Sequence, residues 1–187
     1  MSESLPDGTA VANASSFDLL DKSGKKVNFG SLFKEKKIIV VFIRHFFCGS
    51  CQKYVSQLNS QCQKFSKSME ETNTEIFVIG CGKWQPIEMY SEMTGFPSSK
   101  IFADTDLNVY HAFGMNIRTT ALTPAGQQRA SYLTEGPIMN AISSTWRALM
   151  NAKFLGKQGD ISQLGGEFIL GPGGSTVFFY NDRSNFH

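Results

Sequence analysis

Long hydrophobic runs, an excess of charge of one sign and an N-terminal leader pattern are all missing from this chain of 187 residues. No stretch approaches the roughly 20 apolar residues that a membrane-spanning helix requires. The net charge is only +2, from 18 basic and 16 acidic residues, so we expect neither nucleic acid nor a membrane as a partner. The first residues, MSESLPDGTAVANASS, lack the basic start and apolar middle of a signal peptide. These absences together predict a cytoplasmic protein.

Cysteine is also scarce, with four residues in the chain. Thiols stay reduced in the cytoplasm, so four cysteines do not suggest a disulfide framework. Two of them, Cys48 and Cys51, lie three residues apart, and this spacing fits a redox dithiol, half of a zinc site or two buried thiols. A zinc site requires further Cys or His ligands, and the chain has no second close pair. The sequence therefore favours a dithiol, and we expect no metal and no other cofactor.

Hydrophobic periodicity predicts an α/β fold. Residues 38–43, IIVVFI, are apolar throughout, which is typical of a central strand covered by helices on both faces. The other predicted elements are short strands within 16–33, a helix over 49–67, a strand over 75–80, a helix over 86–95, a strand over 100–104, a helix over 107–113 capped by Thr105, a helix over 137–152 and a β-hairpin over 166–180. This order predicts a mixed central sheet flanked by helices in one domain, residues 15–187, after a loose N-terminal tail, residues 1–14.

The position of the cysteine pair suggests how the thiols would react. Cys48 comes at the start of the predicted helix, where unpaired N–H groups and the helix dipole favour a thiolate. Cys51 follows one turn later, near enough for the two sulfurs to join. Gly49 and Ser50 between them are small, so the first sulfur stays accessible. Arg44 and His45 precede the pair and add positive charge or hydrogen-bond donors.

Cys81 and Trp84, which both follow the next predicted strand, are further candidates for the site. Cys81 follows EIFVIG, and because the carboxyl ends of parallel strands meet at one edge of a sheet, it could lie near Cys48. We consider it an additional resolving thiol or, preferably, a packed residue at the strand end. Trp84 follows in the same loop and is either part of the core or a wall of the site.

Several segments in the right order resemble the peroxiredoxin-like branch of the AhpC/TSA antioxidant family. They are VVFIRHFFCGSCQKYVSQL (40–58), EIFVIGCGKWQPIEMYSEMTGFP (75–97), KIFADTDLNVYHAFGM (100–115) and QGDISQLGGEFILGPGG (158–174). The resemblance implies a thioredoxin-like fold and a reactive cysteine that attacks the O–O bond of a peroxide and becomes a sulfenic acid. It implies Cys48 as nucleophile, Cys51 as resolving thiol and Arg44 as activating cation, with thioredoxin or glutathione as reductant.

The chain departs from related patterns at two places. Peroxiredoxins carry P-x-x-x-T-x-x-C, which ends in the reactive cysteine. Matched at Cys51, this chain has Arg44 for the proline and Cys48 for the threonine, and matched at Cys48 it has Val41 and His45 there. Cys51 thus occupies the peroxiredoxin position, whereas Cys48 occupies the nucleophile position of thioredoxins. We favour Cys48, because exposure falls going into the helix. Thioredoxins also place a proline before the final hairpin, where this chain has Gln163–Leu164–Gly165–Gly166. Gly165 and Gly166 would permit close backbone approach to the dithiol or to a small ligand.

The leading hypothesis for function is a thiol peroxidase for hydrogen peroxide or organic hydroperoxides. A second is a reductase of a small oxygenated metabolite such as an endoperoxide or quinone, with a pocket walled by Phe46, Phe47, Trp84 and Trp146. His45, Phe47 and Trp84 are the side chains that we expect to contact substrate. A third is a redox-sensing interaction module without catalysis. The fold class does not separate these hypotheses, and the sequence leaves a homodimer open.

Overall fold

The computed structural model describes residues 6–116, 118, 154, 156–172 and 176–181, the last range by its backbone alone. The predicted helix over 137–152, with Trp146, lies outside the described residues.

The strands form one mixed sheet. They are β1 (Asp18–Leu20), β2 (Lys26–Asn28), β3 (Lys37–Ile43), β4 (Thr74–Cys81), β5 (Ile101–Asp104), β6 (Gly166–Leu170) and β7 (Thr176–Asn181). Their spatial order in the described chain is β2-β1-β5-β4-β3-β6-β7. The central strands β3, β4 and β5 run parallel, while the outer pairs, including β6 with β7, are antiparallel. The mixed sheet and the antiparallel strand pair at its end confirm the prediction.

Five α-helices surround this sheet in the described chain. They are α1 (Gly8–Ser15), α2 (Gly49–Lys64), α3 (Ser66–Glu71), α4 (Ile87–Thr94) and α5 (Asn108–Ala112), with 3₁₀ helices at Phe29–Phe33 and Ser98–Lys100. α2 is shorter than predicted because Phe65 leaves helical geometry, with φ −104° and ψ 15°. The Phe65 side chain is 58% exposed and so does not join the apolar stripe of α2.

The cap of α5 differs from the prediction. The Asp104 carboxylate accepts hydrogen bonds from the N–H groups of Asn108, Val109 and Tyr110, at 2.8–3.1 Å. The Thr105 hydroxyl instead donates to the carbonyl oxygen of Gly82 at 2.9 Å. Asp104 can cap the helix because its two carboxylate oxygens accept several of the unpaired N–H groups of the first turn at once.

The prediction of a loose tail is wrong for residues 8–14, which form most of α1. Asp7 caps this helix by accepting the N–H of Ala10 at 2.8 Å. Val11 and Ala14, three residues apart, share one face and are almost completely buried against the sheet. The sequence pattern does not indicate this short apolar face because polar residues surround it.

The two faces of the sheet carry separate hydrophobic cores. The α1/α5 core contains Val40, Phe42, Ile79, Cys81, Tyr110, Phe113 and Phe168 among others. The α2/α4 core contains Val41, Ile43, Phe46, Cys48, Cys51, Val55 and Tyr90 among others. Alternate residues of a strand point to opposite faces, which is why successive residues of β3 and β4 divide between the two cores. The cysteine pair therefore belongs to the α2/α4 side.

Candidate active site

Cys48 is the N-cap residue of α2, immediately after the loop that follows β3. Its sulfur accepts the N–H of Cys51 at 3.4 Å and lies 3.2 Å from the Ser50 hydroxyl oxygen. The side chain is 6% exposed. A hydrogen bond from the Cys51 thiol, with smaller contributions from Ser50, the Cys51 N–H and Arg44, lowers the pKa of Cys48 to about 6 although burial opposes ionisation. The lowered pKa favours the thiolate form of Cys48 at neutral pH.

Cys51 has the opposite character. It is fully buried, and burial raises its pKa well above the usual range. The hydrogen bond with Cys48 and the negative charge of that sulfur raise the pKa further, while an Arg44 backbone hydrogen bond opposes the rise only partly. The two sulfurs form no disulfide in the structure. Of the pair, Cys48 is the thiol that ionises more readily, and Cys51 is the one that keeps its proton.

Arg44 and His45 lie in the loop between β3 and the cysteines. The Arg44 Nη2 donates to the carbonyl oxygen of Ile161 at 3.3 Å, and its charge contributes to lowering the pKa of Cys48. Burial and the charge of Arg44 lower the pKa of His45 to about 4, against a weaker opposing effect of Asp160. His45 is therefore neutral at pH 7. Of these two residues, only Arg44 adds positive charge to the loop.

A crossing segment, residues 156–163, runs over the carboxyl ends of β3 and β4. The carbonyl oxygen of Gln158 accepts the Phe46 N–H at 3.2 Å, and that of Lys157 accepts the Lys83 N–H at 2.9 Å. Gly159, at φ +97°, passes so close to the Cys81 carbonyl that a Cβ would overlap it. The crossing segment therefore holds the loop that carries Arg44 and His45 in place.

The other residues predicted to bind substrate are two aromatic side chains near the cysteine pair and two glycines beside β3. Phe47 and Trp84 are half-buried and pack against the α2/α4 core that contains Cys48. The Trp84 ring also covers Gly24, where a Cβ would lie 2.8 Å from ring atoms. Gly165 does approach another backbone closely, but the neighbour is the Phe42 carbonyl of β3 rather than the dithiol or a ligand. Gly166 is a paired residue of β6 opposite Phe42.

Cys81 is not brought together with the other two thiols, because it belongs to the α1/α5 core on the opposite face. Its Sγ donates to the Arg44 carbonyl at 2.7 Å. Burial raises the pKa of Cys81 to about 12. These surroundings favour the packed strand-end residue over the additional resolving thiol.

Sequence reasoning did not identify three polar neighbours of the site. Asp160 acts on His45 from the crossing segment, far away in sequence. Gln52 donates from Nε2 to the Phe46 carbonyl at 3.2 Å and anchors the loop to α2. Tyr90 on α4 is fully buried beside the dithiol. The position of Tyr90 in the apolar pattern of α4 indicates a core residue and nothing more specific.

Two general findings concern the described residues as a whole. No group of three or more His, Cys, Asp or Glu side chains there could hold a metal ion. Within the same residues, no helix combines the length and apolar character needed to cross a membrane.

The chain is similar to known proteins over most of its length. Residues 57–184 match the family model described as AhpC/TSA antioxidant enzyme, a stretch that begins after the cysteine pair. Peroxiredoxin-like 2C of Bos taurus is 35% identical over 185 residues, covering 96% of this chain and 78% of that protein. The Mus musculus protein of the same name is 36% identical over 180 residues, covering 96% and 74%.

Solved structures show the same fold. A mutant of Xanthomonas campestris peroxiredoxin Q has a TM-score of 0.59 at 14% identity, covering 95% of this chain and 85% of that chain. A mutant of Xylella fastidiosa PrxQ has a TM-score of 0.60 at 12% identity, covering 97% and 87%. These likenesses confirm the predicted thioredoxin-like α/β fold class.

Proposed function

Because this chain belongs to the AhpC/TSA antioxidant family, we propose that it reduces hydrogen peroxide or organic hydroperoxides through the Cys48–Cys51 dithiol. The observation that carries the proposal is the contrast between the two thiols. The pKa of Cys48 is lowered to about 6, whereas the pKa of Cys51 is raised. A peroxide-reducing dithiol needs one nucleophile that is already ionised and a second thiol that reacts only afterwards.

The proposed reaction has three steps. The Cys48 thiolate attacks one oxygen of the peroxide, the O–O bond breaks, and Cys48 becomes a sulfenic acid while water or an alcohol leaves after taking up a proton. Cys51 then attacks the Cys48 sulfur, and water leaves as the disulfide forms. An external dithiol, or two monothiols, finally reduces the disulfide and becomes oxidised itself.

Arg44 and Phe47 have proposed roles in the first step. The Arg44 guanidinium, fixed by the Ile161 carbonyl, stabilises the negative charge on the departing oxygen. Phe47, half-buried beside Cys48, offers apolar contact to the substituent of an organic hydroperoxide. His45 is neutral at working pH because its pKa is about 4, so it acts as a hydrogen-bonding group rather than as a cation.

A second candidate, a reductase of a small endoperoxide or quinone, has one favourable observation. Phe47 and Trp84, like Tyr54, are partly exposed aromatic side chains packed on the α2/α4 core, which contains the dithiol. Phe46, however, is fully buried, with its ring under Gly80 and against Tyr90, and so does not wall a pocket. Measuring reductant-dependent consumption of a quinone or an endoperoxide alongside that of peroxide distinguishes the two candidates.

For the reductant, we propose thioredoxin or glutathione. A yeast mitochondrial 1-Cys peroxiredoxin with the same fold, at a TM-score of 0.54, is described as resolved through glutathione and thioredoxin systems. Regeneration of the reduced enzyme in the presence of each reductant, measured by intact mass, identifies the one that supports turnover.

The decisive test compares wild type, Cys48→Ser and Cys51→Ser in peroxide consumption with excess reductant, followed by intact mass. Wild type is expected to turn over and, without reductant, to lose the mass of two hydrogen atoms. Cys48→Ser is expected to be inactive, and Cys51→Ser to trap a sulfenic acid. If wild type forms the disulfide but consumes no peroxide catalytically, the peroxidase proposal is wrong, and a redox-sensing module takes its place.

A further inference from the structure

Tyr90 of α4 has an unusual position for a tyrosine. Its side chain is fully buried in the α2/α4 core, and among the residues that the structure describes its hydroxyl oxygen has no hydrogen-bond partner. The ring packs edge-to-face on Phe46, with 5.6 Å between centroids. Burial, followed by the nearness of Cys51 and then Cys48, raises the pKa of Tyr90 well above its usual range. Tyr90 therefore keeps its proton and remains a donor.

A buried hydroxyl without an acceptor is unfavourable, and native proteins rarely tolerate one. Tyr110, on the other face of the sheet, shows the ordinary solution: its hydroxyl reaches the carbonyl oxygens of Ile43 and Ile79, at 2.6 and 2.9 Å. The Tyr90 hydroxyl instead lies in the same core as two sulfurs, one of which must lose its proton during the reaction. Ionisation of Cys51 would place a second negatively charged acceptor in the core that contains the Tyr90 hydroxyl.

We propose that the Tyr90 hydroxyl donates a hydrogen bond to the Cys51 thiolate as Cys51 attacks the sulfur of Cys48. This inference rests on the proposed dithiol function. Cys51 gives up its proton, an S–S bond forms, and the bond from Cys48 to its leaving group breaks. When the leaving group is the hydroxide of a sulfenic acid, hydroxide takes up the proton and leaves as water, so that Cys51 is oxidised and Cys48 is reduced. Tyr90 donates only a hydrogen bond and keeps its proton.

An aromatic disulfide that releases a coloured thiolate tests this without peroxide. Cys48 attacks it first and releases one coloured thiolate, and Cys51 then attacks the mixed disulfide and releases the second. In stopped-flow measurements on Tyr90→Phe, we expect the first phase to match wild type. We expect the second phase to slow by about tenfold, the order of one hydrogen bond to a charged group. The pH midpoint of that phase should rise by about one unit.

Tyr110→Phe is the matched control, because it also removes one buried tyrosine hydroxyl. It should lower the midpoint of thermal unfolding and leave the second phase unchanged, whereas Tyr90→Phe should not lower that midpoint. The proposal is overturned if Tyr90→Phe does not slow the second phase, or if Tyr110→Phe slows it equally. If wild type consumes no peroxide but Tyr90→Phe still slows the second phase, the peroxidase function fails and the role of Tyr90 stands.

Discussion

Replacing Cys51 by alanine should make Cys48 a weaker acid. The hydrogen bond from the Cys51 thiol is the largest of the contributions that lower the pKa of Cys48 to about 6. In Cys51→Ala this donor is gone, while the N–H of residue 51, the Ser50 hydroxyl and Arg44 remain. The pKa of Cys48 should therefore rise but stay below that of an ordinary buried thiol.

The size of the rise follows from the strength of the lost bond. A hydrogen bond to a charged group contributes about 1.5–3 kcal/mol, and one pKa unit corresponds to about 1.36 kcal/mol. Cys48 is only 6% exposed, so solvent does not replace the bond fully. The expected rise is about one to two units, to a pKa of about 7–8. At pH 7 the thiolate fraction would fall from about nine-tenths to between about half and one-tenth.

The assay is the pH dependence of Cys48 alkylation, followed by mass spectrometry. Cys51→Ser is the matched control, because a hydroxyl can still donate to the Cys48 sulfur and should keep the midpoint near that of wild type. The reasoning is refuted if alanine and serine variants titrate at the same pH, since the bond from residue 51 would then contribute nothing to the ionisation of Cys48.

Three further predictions concern the surroundings of the pair. Ser50→Ala should raise the alkylation midpoint of Cys48 by less than Cys51→Ala does, because the Ser50 hydrogen bond is a smaller contribution. Gly165→Ala should lower the free energy of unfolding by about 1–3 kcal/mol in urea titration, since the new methyl would overlap the Phe42 carbonyl; an unchanged midpoint would contradict this. The pKa of His45 is lowered from 6.5 to about 4, so the unfolded chain binds the proton more readily, and stability should fall as pH drops through this window. His45→Asn should remove this contribution to the pH dependence of the free energy of unfolding, as measured by urea titrations between about pH 4 and pH 6.5.

The fold could be predicted largely because its central elements carry strong local patterns. The uninterrupted apolar run of β3 indicated a strand covered on both faces, and Pro86 and Gly95 marked the ends of α4. The start of α2 at Gly49 was also predicted, since small residues follow the end of a strand. The cap of α5 was predicted wrongly because the Thr105 hydroxyl donates to Gly82, which is distant in sequence, and the adjacent Asp104 caps the helix.

The site was predicted only in part, because sequence shows neighbours along the chain and not across the sheet. Alternation along β4 sends Cys81, its last residue, to the face opposite Cys48, although both residues lie at the carboxyl ends of neighbouring strands. The neutral state of His45 depends on burial, which the sequence does not reveal. The contacts of the crossing segment join residues far apart in the chain, up to the 117 positions between Arg44 and Ile161.

The most direct test of the central claim is to locate the first oxidised sulfur. Wild type, Cys48→Ser and Cys51→Ser are treated with equimolar hydroperoxide in the presence of a cyclic 1,3-dione that captures sulfenic acid, and the peptides are mapped by mass spectrometry. We expect the adduct on Cys48 in Cys51→Ser, and a Cys48–Cys51 disulfide in wild type. An adduct on Cys51 in the Cys48→Ser variant, with none on Cys48 in Cys51→Ser, would contradict it.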